Sequence, residues 1–590
     1  MPDQHKITTP TALPCLRANN TVTAVAAVTI GASSIILAFF SLYLVTILHW
    51  QGPFRDLWEF VPFIEQQFHG QWSLDYLLDP YGGAHRIFLP KLFFFIDFYW
   101  LQGRNLLTTS TALICQSLYL LIIYRVVRGE KDISAREKIL LTGSFGMALF
   151  STTQVNNFLY AMDVQWYMSN ALGLASMTAL LRSPTTSNIC LVMLLGIAAA
   201  MCNFTGLMAL PVAALSLAIC SHSNGQYNRK IRWLTYLLVL IVCWLYMHHD
   251  KNAQHVVVAA LKLSDNWITR AYIMQDTLHK MFGYTLRYLA SPLSRDWPAA
   301  GSTLAFFSLV AVCFYWLLYW RGKTLSAFQR LSLYIATYII ISAVATAFGR
   351  FIYTNQAVTE RYQTLVLPYL PAIAGLVWQD IRHTRFNSLA PAIFTLLMLW
   401  HLLPAQLKSA HDMSILADRV NQAHTAARAG VLEPAYINST LSYPLIKNRI
   451  NSVKDNDTFL REYQLGYFQH LQEFRLDNTV QIEATLPVCD GNAHLTRDTE
   501  RQTLLVDGSL LYLGNVLPDM ALIQEQKVIG LGTLLRPDDS LLPLAAQPAE
   551  QSRFRAFARL DKIEAAYALL IIGIQDHKAV CLFPLAKSSS

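Results

Sequence analysis

Long apolar runs alternate with short polar breaks over the first two thirds of the chain, and the pattern stops near Pro404. A helix of about 20 apolar residues crosses a hydrocarbon core roughly 30 Å thick. Runs of that character predict spans at about 21–48, 105–124, 139–155, 164–181, 188–203, 206–220, 232–248, 299–320, 331–348, 362–379 and 387–403. Residues 187–221 carry no charge. A single helix of that length would measure about 52 Å, so the run is divided near Asn203, Gly206 and Pro211. The pattern predicts an α-helical polytopic membrane protein of about eleven transmembrane helices.

The breaks differ in kind. The loop 49–104 is dense in acids and indoles, and within it LPKLFFFIDFYWLQG (89–103) is apolar but short, which predicts an interfacial or re-entrant helix. The loop 249–298 contains a stretch, 268–290, with apolar residues at helical spacing, which predicts an amphipathic helix along the membrane surface. After the core at 21–404, residues 405–475 are polar and helix-like. Residues 476–590 break into short runs with β character, the last of them a hairpin turning at Gln575–Lys578. They predict an accessory domain, so that the chain ends in an extracytoplasmic α+β region closing with a small β-sandwich.

Composition agrees: of 590 residues, 54% are hydrophobic and 14% charged, against roughly 25% charged in soluble domains. The net charge of +8 is read through its placement. With residues 1–20 in the cytoplasm, every inner loop is basic, including 125–138, which is the positive-inside pattern. The loop 49–104 and everything after 404 then lie outside. No basic stripe with interleaved aromatics points to nucleic acid, and no cleavable signal peptide is expected because 21–48 is too long for one. The nine cysteines form no CxxC pair, so no metal site is expected. Cys489 and Cys581 would be free to form a disulfide if the tail is outside.

On this topology three polar clusters collect on the outer side. The first holds Arg55, Asp56, Trp58, Glu59, His85, Arg86 and Lys91. The second, TTQVNNFLYAMDVQW, holds Gln154, Asn156, Asn157, Asp163, Gln165 and Trp166. The third, FGRFIYTNQAVTERY, holds Arg350, Glu360, Arg361 and Tyr362. Ionisable groups near hydrocarbon are costly and tend to face a cavity or a partner. Arginines at helix ends also snorkel, but Arg350 and Arg361 bracket one loop, and guanidinium forks suit phosphate oxygens. Asp79 with Pro80-Tyr81-Gly82-Gly83 reads as a plain turn, and Asp75 as a solvated acid. An acid cluster beside an arginine set suits group transfer from a phosphorylated lipid. Asp56 would take the acceptor proton, with Glu59 one turn on to share the role. Arg350, Arg361 and Arg86 would hold the departing phosphate. His85, Tyr362, Glu360, Asp163, Gln154, Asn157, Gln165 and Trp58 would line the substrates.

GGAHRIFLPKL (82–92), TQVNNFLYAMDVQW (153–166) and GRFIYTNQAVTERYQ (349–363), with an acid soon after the first span, resemble the GT-C superfamily of polyprenyl-phosphate-sugar-dependent glycosyltransferases. They are similar in particular to serotype-converting glucosyltransferases of bacteria and phages. The resemblance covers roughly 20–405. It implies an undecaprenyl-phosphate-linked hexose donor, a surface-glycan acceptor and inversion at the anomeric carbon, at the outer face of a bacterial cytoplasmic membrane, with Asp56 as base. Many members carry an Asp-x-Asp or Glu-x-Asp pair that binds metal. Asp56 and Glu59 are spaced differently, so metal-independent catalysis without a cofactor is expected. Two other classes stay open: an O-antigen ligase or polymerase, which has no need of an acid cluster after the first span, and a lipid-linked-sugar transporter, which would place its polar residues near the midplane in matched halves.

Overall fold

The computed structural model describes residues 15–71, 73–79, 86–182, 185–224, 235–243, 267–294, 297–382, 389–432, 458–468, 479, 491–498, 502–510, 519–524, 527–535, 552–560, 570–575 and 578–584. Among them, five helical stretches are long and apolar enough to cross a membrane: Thr21–Leu48, Leu106–Gly129, Pro298–Trp320, Ala327–Arg350 and Glu360–Ile381. Where they are described, the other predicted spans also fall on helices, but several are short. Ala135–Leu149 and Thr186–Ala200 have 15 residues each, and Val164–Ala179 and Ala209–Asn224 have 16. At 1.5 Å per residue they reach only about 22–24 Å, below the full hydrocarbon thickness. Of the eleven expected spans, five therefore meet the length and composition for crossing a membrane among the described residues.

Local chemistry sets the helix ends. Ser134 with Glu137, and Ser326 with Gln329, form capping boxes at the starts of Ala135–Leu149 and Ala327–Arg350. The uncharged run 187–221 divides where expected. Asn203 caps the next turn, its Oδ1 accepting from the Thr205 N–H at 3.1 Å. A Cβ on Gly206 would meet the Ala199 carbonyl oxygen at 2.1 Å, so the turn can close only on glycine. The first helix, Cys15–Leu48, packs closely on Ala135–Leu149. Small residues let it: a Cβ on Gly143 would lie 3.3 Å from the Gly31 Cα, and one on Gly146 would lie 2.0 Å from Ser34 Oγ.

The segment 89–103 is a helix, Phe88–Leu101. The two charges that seemed to interrupt it are buried and tied to backbone. The Asp97 carboxylate accepts from the Asn105 and Leu107 N–H groups at 2.8 and 2.7 Å. It thereby satisfies orphan donors at the start of Leu106–Gly129. Burial pushes its carboxyl up to about 6, against the pull of those amides. Lys91 Nζ donates to the carbonyl oxygens of Tyr76 and Asp79 at 2.5 and 2.8 Å and lies 4.7 Å from the Tyr76 ring centroid. It pins Leu74–Leu78 to this helix, and burial lowers its ammonium to about 8. The stretch 268–290 is also helical, as Trp267–Leu289.

Helix Leu389–Arg428 runs for 40 residues straight through Pro404, where the sequence reading ended the core and began a polar helical segment. Its C-terminal half, from Ala410, joins the loop after the first helix, residues 459–468 and the sheet in one apolar core. The sheet has seven antiparallel strands: β1 (Gly491–Asp498), β2 (Thr503–Leu510), β3 (Asp519–Gln524), β4 (Lys527–Leu535), β5 (Ser552–Arg559), β6 (Leu570–Gln575) and β7 (Lys578–Pro584). Their order is β1-β2-β5-β4-β3-β6-β7. Among the described residues these strands form one sheet, where a sandwich was expected. The helix covers the face that a second sheet would have covered, against Ala521, Ile523, Val528, Leu531 and Phe557. The opposite face gathers Leu504, Val506, Met520, Leu522, Phe554, Ala556 and Ala558 into a cluster of its own. The hairpin at Gln575–Lys578 joins β6 and β7 as expected. Cys489 and the Cys581 side chain lie outside the described residues, as does His85.

Candidate functional site

The first span ends at Leu48, and the chain turns into a 3-10 helix, Arg55–Phe60. Arg55 enters it at φ 50°, in the left-handed region. The Asp56 N–H donates to Tyr160 Oη at 3.0 Å, and Phe54 meets the Tyr160 ring edge-on with centroids 5.5 Å apart. The second polar segment therefore holds the Asp56 turn in place. Asp56 and Glu59 are three residues apart in a 3-10 helix, so they lie on one face. Glu59 stands near Tyr76, whose Oη donates to the Glu59 carbonyl at 3.2 Å. Its carboxylate, after burial, is the next influence keeping that phenol protonated. Trp58 is fully buried, 6.5 Å from the Tyr467 ring, so the indole serves the core and not an open sugar face. Arg86 lies half-buried just before helix Phe88–Leu101.

The second segment folds as short turns between Leu149 and Val164, and its polar residues are buried. Gln154 Oε1 accepts from Gln116 Nε2 at 3.3 Å and Tyr167 Oη at 3.4 Å, and its Nε2 donates to the Ala148 carbonyl at 3.3 Å. Gln165 Oε1 accepts from Asn203 Nδ2 at 2.8 Å. These two hold neighbouring turns together. Asn157 instead reaches the third segment: its Nδ2 donates to the Glu360 carbonyl and to Thr364 Oγ1, both at 2.8 Å. Asn156 Nδ2 donates to Glu360 Oε2 at 3.4 Å.

Asp163 is where the three segments meet. It is buried at the N-terminus of helix Val164–Ala179. Burial pushes its carboxyl up to about 7, and the Arg361 and Arg55 guanidiniums draw it back while Asp56 raises it further. Two guanidiniums and a second carboxyl thus act on Asp163: Arg55 and Asp56 from the first loop and Arg361 from the third segment. Arg350 lies at the end of helix Ala327–Arg350, where its Nη1 donates to Gln356 Oε1 at 3.0 Å. Tyr362 is buried, with Trp166 edge-on at 5.9 Å and Tyr288 at 4.9 Å. Tyr284 lies beside Tyr288 at 6.3 Å. Burial holds the Tyr284 phenol protonated above its usual range, against the pull of Arg350 and Arg361.

Sequence reasoning named Asp56, Asp163, Arg350, Arg361 and Tyr362 from three separate stretches; the fold sets Asp56 and Arg361 near Asp163, and Arg350, Arg361 and Tyr362 near Tyr284. It did not give Arg55, Tyr160, Tyr284 or Tyr288 roles. Arg55 and Tyr160 stand inside the quoted clusters, whereas Tyr284 and Tyr288 sit i, i+4 on a helix read as a surface element. Among the described residues no group of three or more His, Cys, Asp or Glu is placed to hold a metal ion. The arrangement can bind an anion, through its guanidiniums, beside a carboxyl able to take a proton. No protein-family model, curated protein or solved structure matches the chain, so the meeting of these segments at Asp163 is the foundation for assigning function.

Proposed function

We propose that this chain is an inverting membrane glycosyltransferase. It moves a hexose from an undecaprenyl-phosphate-linked donor to a hydroxyl of a cell-surface glycan, at the outer face of a bacterial cytoplasmic membrane. The observation that carries the reading is the buried Asp163 carboxyl with Arg361, Arg55 and Asp56, drawn from separate segments, close enough to act on it, beside five apolar helices able to cross a membrane.

In this reaction the acceptor oxygen attacks the anomeric carbon, and the bond from that carbon to the phosphate oxygen breaks. The electron pair leaves with the lipid phosphate, stabilised by Arg361 and Arg350. The acceptor proton passes to a carboxylate. A carboxyl that stays protonated up to about pH 7 is a poor base below that pH, which favours Asp56 over Asp163 for the role. Glu59, on the same face as Asp56, extends the acid surface toward the acceptor side. The Asn156 and Asn157 bonds to Glu360 hold the arginine-bearing turn against the second segment.

The test is transfer in vitro from undecaprenyl-phosphate-hexose to isolated surface glycan, comparing the wild-type chain with Asp56→Asn. Transfer by the wild type and a loss of about 10²–10⁴-fold in the variant are expected. Undiminished transfer by Asp56→Asn would remove it as base, and absence of transfer from every lipid-linked sugar would remove the class.

A further inference from the structure

Asp56 enters its turn without help from the residues beside it. In the 3-10 helix Arg55–Phe60 the first N–H groups have no partner inside the helix. Phe54 stands at the N-cap position, and its side chain has no oxygen to offer them. Arg55, at φ 50°, holds a left-handed conformation that a residue with a Cβ adopts only at a cost. Left to itself such a turn would relax, and Asp56 would move with it. The missing cap comes from 104 residues further along the chain, where Tyr160 Oη accepts from the Asp56 N–H at 3.0 Å. The Tyr160 ring is 4% exposed, and Phe54, itself 5.0 Å from the Trp50 ring, meets it edge-on at 5.5 Å. The cap is thus set on a ring that packing holds still.

Tyr160 also holds Asp163. Its carbonyl oxygen accepts from the Asp163 N–H at 2.8 Å, closing the 3-10 turn Ala161–Asp163 that leads into helix Val164–Ala179. The two ends of one residue therefore bind the backbone amides of both aspartates, the hydroxyl that of Asp56 and the main chain that of Asp163. Between those ends lie only the two side-chain torsions of a tyrosine.

We propose that Tyr160 is the positioning residue of the site: its hydroxyl sets the Asp56 turn and its carbonyl the Asp163 turn, so that one side chain fixes where the two aspartates stand relative to each other. In transfer it acts through Asp56. That effect on rate rests on the transferase reading, whereas the placement of the two aspartates does not, and the experiment separates them.

Phenylalanine at 160 keeps the ring against Phe54 and the carbonyl on Asp163, and removes only the tie to Asp56. Full-length chains in detergent are compared as wild type, Tyr160→Phe, Asp56→Asn and the double variant, by two readouts. The first is the infrared band of the protonated Asp163 carboxyl, followed against pH. Arg361 and Arg55 draw that proton off and Asp56 helps to keep it on. Asp56→Asn therefore moves the midpoint to lower pH, and with Tyr160 replaced the same substitution moves it about half as far or less. The second readout is hexose transfer. Tyr160→Phe lowers kcat by about ten- to a hundredfold with the donor KM unchanged, because the base is misplaced and the donor contacts are not. Added to Asp56→Asn it costs about threefold or less, since the group it positions is already gone. A midpoint that does not move when Asp56 is replaced, or moves equally in both backgrounds, would overturn the proposal whether or not the chain transfers sugar. Undiminished transfer by Tyr160→Phe in an active chain would overturn it too. So would an equal loss of transfer in both backgrounds, which marks a general loss of structure. A midpoint shift reduced as expected in a chain that transfers no sugar would keep the placement and reject the transferase reading.

Discussion

Gln406 holds Thr152 from three sides. Its Oε1 accepts from the Thr152 N–H and, at 2.7 Å, from Oγ1, while its own carbonyl accepts from the same Oγ1 at 2.8 Å. Its Nε2 donates to Ser151 Oγ at 2.8 Å, and Ser409 Oγ, nearly one turn on, donates to the Thr152 carbonyl at 2.9 Å. The long helix Leu389–Arg428 therefore grips the segment that leads to Asp163. Replacing Gln406 with methionine keeps the volume and leaves a buried amide unpaired, at a cost of about 1–3 kcal/mol. A lower melting temperature than wild type in detergent is expected, with a larger loss of transfer than of donor binding. An unchanged melt would mean the grip carries no stability.

The same region touches the first loop. Gly466 N–H donates to the Gln102 carbonyl at 2.6 Å, and a Cβ on Gly466 would lie 2.7 Å from the Gly52 Cα. Gly52 sits at φ +89°, with Tyr467 in the way of any side chain. Gly52→Ala is therefore strained twice, by its backbone and by contact. It should lift residues 458–468 off the loop that carries Asp56. Faster cleavage in this segment under limited proteolysis, with reduced transfer, is the expected result, and wild-type protection would contradict it.

Asp163 makes a pH prediction whose sign is fixed. Its carboxyl is raised to about 7 by burial from an ordinary value of 3.8. Between those values the unfolded chain releases a proton that the folded chain keeps. Stability from this group is therefore complete below about pH 4 and is lost as pH rises toward 7. Asp163→Asn should flatten that part of the stability profile. In the wild type, an infrared carboxylic-acid band should fade as pH passes through about 7 and be missing in the variant. A band lost near pH 4 would contradict the burial argument.

The Arg555–Asp507 pair gives the opposite kind of prediction. Arg555 Nε and Nη2 donate to the Asp507 carboxylate at 2.6 and 3.2 Å, and its Nη1 donates to Gln422 at 3.2 Å, joining β2 and β5 to the long helix. Both side chains are about a third exposed, at 32% and 39%. Solvent screening limits such pairs to about 0–1 kcal/mol. Arg555→Ala should shift the melt only slightly, and a loss above about 2 kcal/mol would show that the sheet hangs on this contact.

Much of the fold was legible where chemistry is local. Apolar runs located the helices, Asn203 and Gly206 located the division of 187–221, and alternation located β2 to β7. β1 was missed because its residues are polar and its place at the sheet edge leaves most of them exposed. Hydropathy marks burial as readily as lipid, so among the described residues five of the expected spans are long and apolar enough to cross a membrane, while helices such as Val164–Ala179 bury most of their surface within the protein. Asp97 and Lys91 looked like interruptions because their partners are backbone groups that sequence does not reveal. Pro404 looked like a boundary, yet the helix continues through it, with Gln406 two residues later fixed against Thr152. For the site, residue type gave Asp56, Asp163 and Arg361, while the meeting of their segments depends on contacts such as Asn157 with Thr364 and Tyr160 with Asp56.

The central claim is that Asp56 and Arg361 act in one site on one transfer step. The most direct test is the rate of hexose transfer by Asp56→Asn, Arg361→Ala and the two combined. Groups that act as a unit are non-additive. Each single variant should lose about 10²-fold or more, and the double variant should be little slower than the slower single. Wild-type transfer by either single variant, or losses that multiply in the double, would contradict the account.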